Sequence, residues 1–164
     1  MERIVLVTGG FDPLHSGHIE LFKEAKQLGD KLIVGINSDD WLVEKKGQAF
    51  MPFEERNTIV SNLSMVDDTL SWDDSDGSAC GAIFKLKSTS GYGKTIIFAN
   101  GGDRGKDNTP EVNIYGEDPT VIFEYGIGGD FKKNSSSWIL QEWKEPKTKR
   151  QWGYYRVLHE NGPE

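Results

Sequence analysis

Two histidines three residues apart, His15 and His18, close the decapeptide Gly9-Gly10-Phe11-Asp12-Pro13-Leu14-His15-Ser16-Gly17-His18. At i and i+3 they share one face of a first helical turn. Imidazoles placed there can donate to oxygens that gain charge in phosphoryl chemistry. Ahead of them, Gly9, Gly10, Phe11 and Asp12 make a turn that offers backbone N–H groups, and a following helix adds its positive end. That combination receives phosphate. The plain alternative is a strand–helix turn with two solvent-facing histidines. Glycines, aspartate and both histidines at one junction weigh against it.

Such a junction needs a strand in front and a helix behind. The apolar run Ile4-Val5-Leu6-Val7 supplies a buried strand over residues 3–7. Ile19, Leu21, Phe22, Ala25 and Leu28 line one side of a helix that Gly29 ends. Strand patterns recur at residues 31–37, 66–72, 95–99 and 121–125. Between them, Ser38, Asp39 and Asp40 are cap residues for a short helix, and Pro52 suits the first turn of a helix over residues 53–63. Residues 77–87 can form a helix capped by Asp76, weakened by Gly81, and residues 138–143 an apolar helix. The alternation predicts an α/β fold with a mostly parallel sheet.

The glycine turn followed by His15-Ser16-Gly17-His18 resembles the HxGH signature of the cytidylyltransferase-like nucleotidyltransferases. That family includes glycerol-3-phosphate cytidylyltransferases and the nucleotidyltransferase domain of bifunctional heptose enzymes. The resemblance spans roughly residues 3–143. It implies a doubly wound, Rossmann-like sheet and transfer of a nucleotidyl group from an NTP, CTP or ATP, to a phosphorylated sugar or polyol, with release of pyrophosphate. Mg²⁺ is expected on the NTP phosphates, because it keeps waters and needs few protein ligands. His15 and His18 would donate to the α-phosphate as charge builds. Gly9, Gly10, Phe11 and Asp12 would approach the phosphates through backbone N–H groups, with the Thr8 hydroxyl beside them. Asp12 equally suits a carboxylate that serves free N–H groups at a helix entry.

The same resemblance assigns the remaining candidates. Lys45-Lys46-Gly47 falls in a flexible segment between helices, where the family carries a lysine that reaches the triphosphate. Lys46 is the candidate and Lys45 the neighbouring register, although two adjacent lysines alone are usually a solvated face. Arg56 matches an arginine after the same loop, against the alternative of an exposed helical arginine. Gly101-Gly102-Asp103-Arg104 follows a strand of the parallel sheet, at the end where α/β sites gather. Asp103 suits ribose hydroxyls or a base amino group. Arg104 stands where the family often has Tyr or Trp and suits a substrate phosphate; a Gly-Asp turn is the alternative. Ser135, Ser136 and Ser137 match a Ser/Thr-rich phosphate motif, and serines at a helix start are also good N-caps.

The rest of the chain bounds these readings. A length of 164 residues suits one domain with a short appendage. A net charge of −7 argues against a nucleic-acid surface, which needs a basic footprint. Cys80 is the sole cysteine, so neither an intrachain disulfide nor a thiolate metal cluster is expected, and no zinc pattern accompanies His15, His18 or His159. No apolar run approaches the ~20 residues of a membrane span, and the chain enters a strand without a signal peptide. A cytoplasmic protein is expected, with a homodimer among the assemblies the resemblance allows. Residues 144–151 read as a linker around Pro146. Residues 152–164 open with Trp152-Gly153-Tyr154-Tyr155, which resembles the first strand of a cupin of the mannose-6-phosphate isomerase type; an edge strand of the first domain is the alternative. A non-catalytic nucleotide-binding module of a larger fusion is the second functional reading.

Overall fold

The computed structural model describes residues 1–102, 104–129 and 135–145. Five strands, β1 (Arg3–Gly9), β2 (Lys31–Ile36), β3 (Asp68–Leu70), β4 (Thr95–Gly101) and β5 (Val121–Ile127), form one sheet in the order β3-β2-β1-β4-β5. Every pairing is parallel, with Val5 opposite Leu32 on one side and Ile97 on the other. Parallel strands require crossovers, and the helices α1 (Ser16–Gln27), α2 (Asp39–Lys46), α3 (Phe53–Ser61), α4 (Cys80–Lys87), α5 (Val112–Tyr115) and α6 (Ser136–Lys144) supply them or flank the sheet.

Strand β1 shows why both faces are covered. Its side chains alternate, so Val5 and Val7 enter one core with Phe22 and Ala25 of α1 and Val60 of α3. Ile4 and Leu6 enter a second core with Ala82, Ile83 and Leu86 of α4. A strand buried on both sides reads as an unbroken apolar run, which is how residues 4–7 read. The strand order reverses at β1: the chain moves from β1 to β2 and β3 on one side, then crosses back to β4 on the other. A crevice opens at the carboxyl ends of the strands at such a point.

Several predicted boundaries shift for local reasons. The strand expected over residues 66–72 pairs only at Asp68–Leu70, because Val66 closes a turn onto Leu63 and Asp67 turns its carboxylate to the Leu32 N–H. Asp76 does not cap α4; its carboxylate accepts from the Ser78 N–H, and the helix begins at Cys80 after Ala79. Lys45 and Lys46 are not in a flexible segment but form the last turn of α2, which Gly47 ends in the left-handed conformation (φ 90°). The short 3-10 turn Lys106–Asn108 and α5 were not expected. Asp103, most of the linker and the tail lie outside the described residues.

Candidate functional site

A cavity of about 840 Å³ occupies the crevice above β1 and β4. Its floor is the turn after β1. Gly9 is needed there because a Cβ would lie 2.9 Å from the Phe11 ring, which folds back over it with φ 52° at Phe11. At Gly10 a Cβ would lie 2.8 Å from Leu42 of α2. The turn therefore keeps its backbone against the cavity by having no side chains at these two positions.

The histidines close the turn in an unexpected way. His15 is not inside the helix but is its N-cap, and its Nδ1 accepts the Gly17 N–H at 3.0 Å. His18, at the third helical position, accepts the His15 N–H on its own Nδ1 at 3.1 Å. This is a capping box built from two imidazoles. The rings stack with centroids 3.8 Å apart, and the Phe11 ring meets His18 edge-on at 5.0 Å. A ring nitrogen that accepts a backbone N–H carries no proton, so the proton of each neutral ring is on Nε2. Burial, reinforced by electrostatic interaction with His15 and Lys46, lowers the His18 pKa to about 3. His18 is therefore a neutral Nε2–H donor throughout the physiological range.

Cations face this pair. Lys46 reaches the Asp12 carbonyl at 3.4 Å, and Lys45 lies over the Trp41 ring at 4.5 Å. Both line the cavity, as does Arg104. Burial lowers both lysine pKa values; the charge of Lys46 lowers Lys45 further, while Asp12 holds Lys46 up in part. Cations crowded and desolvated in this manner gain from a polyanion between them. Ser135, Ser136 and Ser137 bring the start of α6 to the same cavity. Ser135 occupies the N-cap position without capping through its hydroxyl, and Ser136 donates to the Pro13 carbonyl at 2.8 Å, joining α6 to the histidine turn.

The structure brings together Thr8, Gly9, Gly10, Phe11, His15, His18, Lys46, Gly102, Arg104 and the three serines around this one cavity. Two other expected residues sit beneath it. Arg56 is 1% exposed, and its guanidinium donates to the carbonyls of Gly10 (2.8 Å), Asn37 (2.8 Å) and Met51 (3.0 Å) and to Asp39 Oδ1 (2.7 Å). It is neither an exposed helical arginine nor part of the cavity lining. Asp12, also 1% exposed, accepts from the Phe50 and Met51 N–H groups at 2.6 and 2.7 Å. Its carboxylate thus serves N–H groups ahead of α3, not those of α1. Arg56 and Asp12 position the turn from below.

Sequence reasoning missed a second layer. Asp74 accepts from the Asn37 side chain (3.0 Å), the Ser38 N–H (2.8 Å) and the Ser38 hydroxyl (2.7 Å), and that hydroxyl caps α2 through Trp41. This network fixes the helix that carries Lys45 and Lys46. Asn37 follows β2 and Asn100 lies near the end of β4, so strand-end position was the available signal. Trp72 and Glu111 also line the cavity. Among the described residues, no three His, Cys, Asp or Glu side chains are grouped to hold a metal ion, and no helix is long and apolar enough to cross a membrane.

Known proteins resemble this chain in family and in fold. A family model described as cytidylyltransferase-like matches residues 6–152. Glycerol-3-phosphate cytidylyltransferase of Bacillus subtilis (strain 168) is 41% identical over 66 residues, 40% of this chain and 51% of the relative. Bifunctional protein HldE of Proteus mirabilis (strain HI4320) is 44% identical over 68 residues, 40% of this chain and 14% of the relative. The matches thus span about half of the first relative and a small part of the second. Among solved structures, the lipopolysaccharide core biosynthesis protein of Thermoplasma volcanium GSS1 has a TM-score of 0.58 at 23% identity, covering 76% of this chain and 94% of that one. A bifunctional NMN adenylyltransferase/ADP ribose pyrophosphatase from Francisella tularensis, complexed with AMP and Mn ion, has a TM-score of 0.60 at 14% identity, covering 92% of this chain and 44% of that one. Both share the fold.

Proposed function

The chain belongs to the cytidylyltransferase-like family, and on that premise we propose that it transfers a nucleotidyl group from CTP or ATP to the phosphate of a small sugar or polyol. An acceptor phosphate oxygen attacks the α-phosphorus in line. The bond from that phosphorus to the bridging β-oxygen breaks, pyrophosphate leaves, and a phosphoanhydride joins nucleotide and acceptor. Such a reaction asks the protein for positioning and charge stabilisation more than for covalent chemistry.

The observation that carries the proposal is the histidine capping box. Backbone N–H groups hold both Nδ1 atoms, so the neutral rings keep their protons on Nε2 at the edge of the cavity. Donors of that kind need no reorganisation when charge develops on the α-phosphate. Lys46 supplies positive charge to the triphosphate, and the α6 start with Ser136 and Ser137 takes further phosphate oxygens. Asp103, outside the described residues, is assigned to the nucleoside.

A divalent ion such as Mg²⁺, when bound, offsets triphosphate charge. With no acidic or imidazole cluster to hold it among the described residues, the donor set fits a metal that arrives on the nucleotide. The manganese and AMP of the Francisella structure support this pairing. The glycerol-3-phosphate cytidylyltransferase and HldE relatives support an acceptor that is a polyol or sugar phosphate. NTP use fits a cytoplasmic enzyme. Homodimerisation, and residues 152–164 as the truncated start of a cupin-like module or an appended edge strand, remain part of the proposal.

A matrix of NTPs against phosphorylated sugars and polyols, read by pyrophosphate release, tests the reading. Release is expected with one nucleotide and one acceptor class. NTP binding without release from any pair would favour a nucleotide-binding module that does not turn over.

A further inference from the structure

Glu111 has no part in the chemistry above, yet it is 1% exposed and lines the cavity. One carboxylate oxygen, Oε1, accepts the Ala79 N–H at 2.7 Å, which ties the residue to the start of α4. The other, Oε2, is buried with no hydrogen-bond partner among the described residues. Among the described residues the cation paired with it, Arg104, stands 3.8 Å away, beyond hydrogen-bonding reach, and the Arg104 guanidinium makes a long 3.4 Å contact with Asn100. A buried acceptor left unpaired is unfavourable, and a carboxylate accepts only. Oε2 therefore calls for a donor, and Glu111 borders a cavity. The ring of Trp72, whose Nε1 is held by the Ser78 carbonyl at 3.0 Å, forms another wall of the same cavity. A fixed carboxylate and an indole lining one cavity offer an acceptor for hydroxyls and an apolar face for C–H groups.

We propose that Glu111 is the specificity-determining residue for the acceptor: its Oε2 accepts a hydrogen bond from a hydroxyl of a polyhydroxylated phosphate, and Arg104 faces that ligand's charge. This rests on the nucleotidyl-transfer reading and deepens it, since it selects acceptors by their hydroxyls. A site built to bind a hydroxyl rejects analogues that lack it far more strongly than an apolar pocket rejects a missing methylene.

The test is calorimetry with glycerol 3-phosphate, ribose 5-phosphate, 2-deoxyribose 5-phosphate and glucose 1-phosphate, in the presence of a non-hydrolysable CTP or ATP analogue. Wild type is compared with Glu111→Gln, whose carbonyl can still accept from Ala79. At least one hydroxylated phosphate should bind wild type and weaken about 10- to 100-fold in the variant, with unchanged nucleotide affinity and melting temperature. If ribose 5-phosphate is that ligand, its deoxy analogue should bind wild type more weakly and be insensitive to the substitution. Equal acceptor binding in both proteins, no binding of any of the phosphates, or loss of nucleotide affinity instead would overturn the inference. Pyrophosphate release with the same pairs separates the two claims: acceptor binding that depends on Glu111 without release would end the transfer reading and leave the hydroxyl site standing.

Discussion

The Nδ1 of His18 accepts the backbone N–H of His15 at 3.1 Å while the two rings stack at 3.8 Å. The same pair of side chains therefore terminates a helix and presents the donors of the site. Replacing either with Ala should lower kcat about 10²- to 10³-fold, the usual effect of losing one preorganised donor to developing charge, and leave NTP affinity nearly intact. His15→Ala also loses an N-cap, at about 1 kcal/mol of stability. Steady-state pyrophosphate release and thermal melts would check both, and near-normal kcat in both variants would remove the histidines from the mechanism.

The depressed pKa of His18 has a consequence for stability. In the unfolded chain His18 binds a proton below about pH 6.5, whereas in the folded chain it does so only near 3. Between those values the unfolded state holds more protons, so stability falls as pH drops from 6.5 towards 3, by at most about 1.4 kcal/mol per pH unit from this residue. Asp67 and Asp118 have lowered pKa values, so their share is also lost on acidification and must be subtracted. Denaturant unfolding from pH 7 to 4 should show a shallower fall in His18→Gln than in wild type. Nitrogen NMR should find His18 as the neutral Nε2–H form at pH 5.

Lys46 should bind nucleotide more weakly as pH rises. Burial lowers its pKa in the free protein, and a triphosphate beside it raises that pKa again. NTP binding at alkaline pH should then take up protons, which calorimetry in buffers of different ionisation enthalpy measures directly. Lys46→Met should abolish the uptake and weaken NTP binding about 10-fold or more. Unchanged uptake in Lys46→Met would point to Lys45.

Ser136→Asp puts a negative charge at the start of α6, where helix starts tolerate acids. The fold should survive, apart from the lost bond to Pro13, and NTP affinity should fall. Ser136→Ala, lacking the charge, should cost about 0.5–1.5 kcal/mol of stability and less affinity than the Asp variant. Equal binding by Ser136→Asp and wild type would reduce the serine to a tie between α6 and the turn.

Arg56→Lys should destabilise the free protein by about 2–4 kcal/mol, because a point charge cannot replace a fork that serves three carbonyls and Asp39. Denaturant unfolding without nucleotide reads this. A loss of nucleotide affinity with full stability would instead place Arg56 among the ligand contacts.

The legible parts of the sequence were those written in short-range code. The run Ile4-Val5-Leu6-Val7 announces a doubly buried strand, and Gly9-Gly10 announces a turn pressed against its neighbours. His15 and His18 are legible because their role needs a spacing of three. Arg56 and Asp12 suit the ligand by residue type, but apart from Met51 beside Arg56 their partners are 17 to 46 residues away in sequence, and no local pattern encodes burial at that range. Lys45 and Lys46 were expected in a loop because an eight-residue helix with little amphipathic contrast resembles a polar segment; its cap at Ser38 and Gly47 were the better guides. The tie between Glu111 and Ala79 is not legible in the sequence, because only the folded chain brings the two together.

Arg56 binds the turn after β1, the end of β2, the start of α2 and the loop before α3 with one side chain. None of these segments can leave without orphaning the cation and the other carbonyls. Opening of the site by one loop at a time is thereby suppressed, and the floor of the cavity should be lost in a single cooperative step. Hydrogen exchange at Asn37 and Met51, whose N–H groups bond to the Gly9 carbonyl and the Asp12 carboxylate, should then share one opening free energy, so that a partly unfolded population of this protein would not retain a partly formed site.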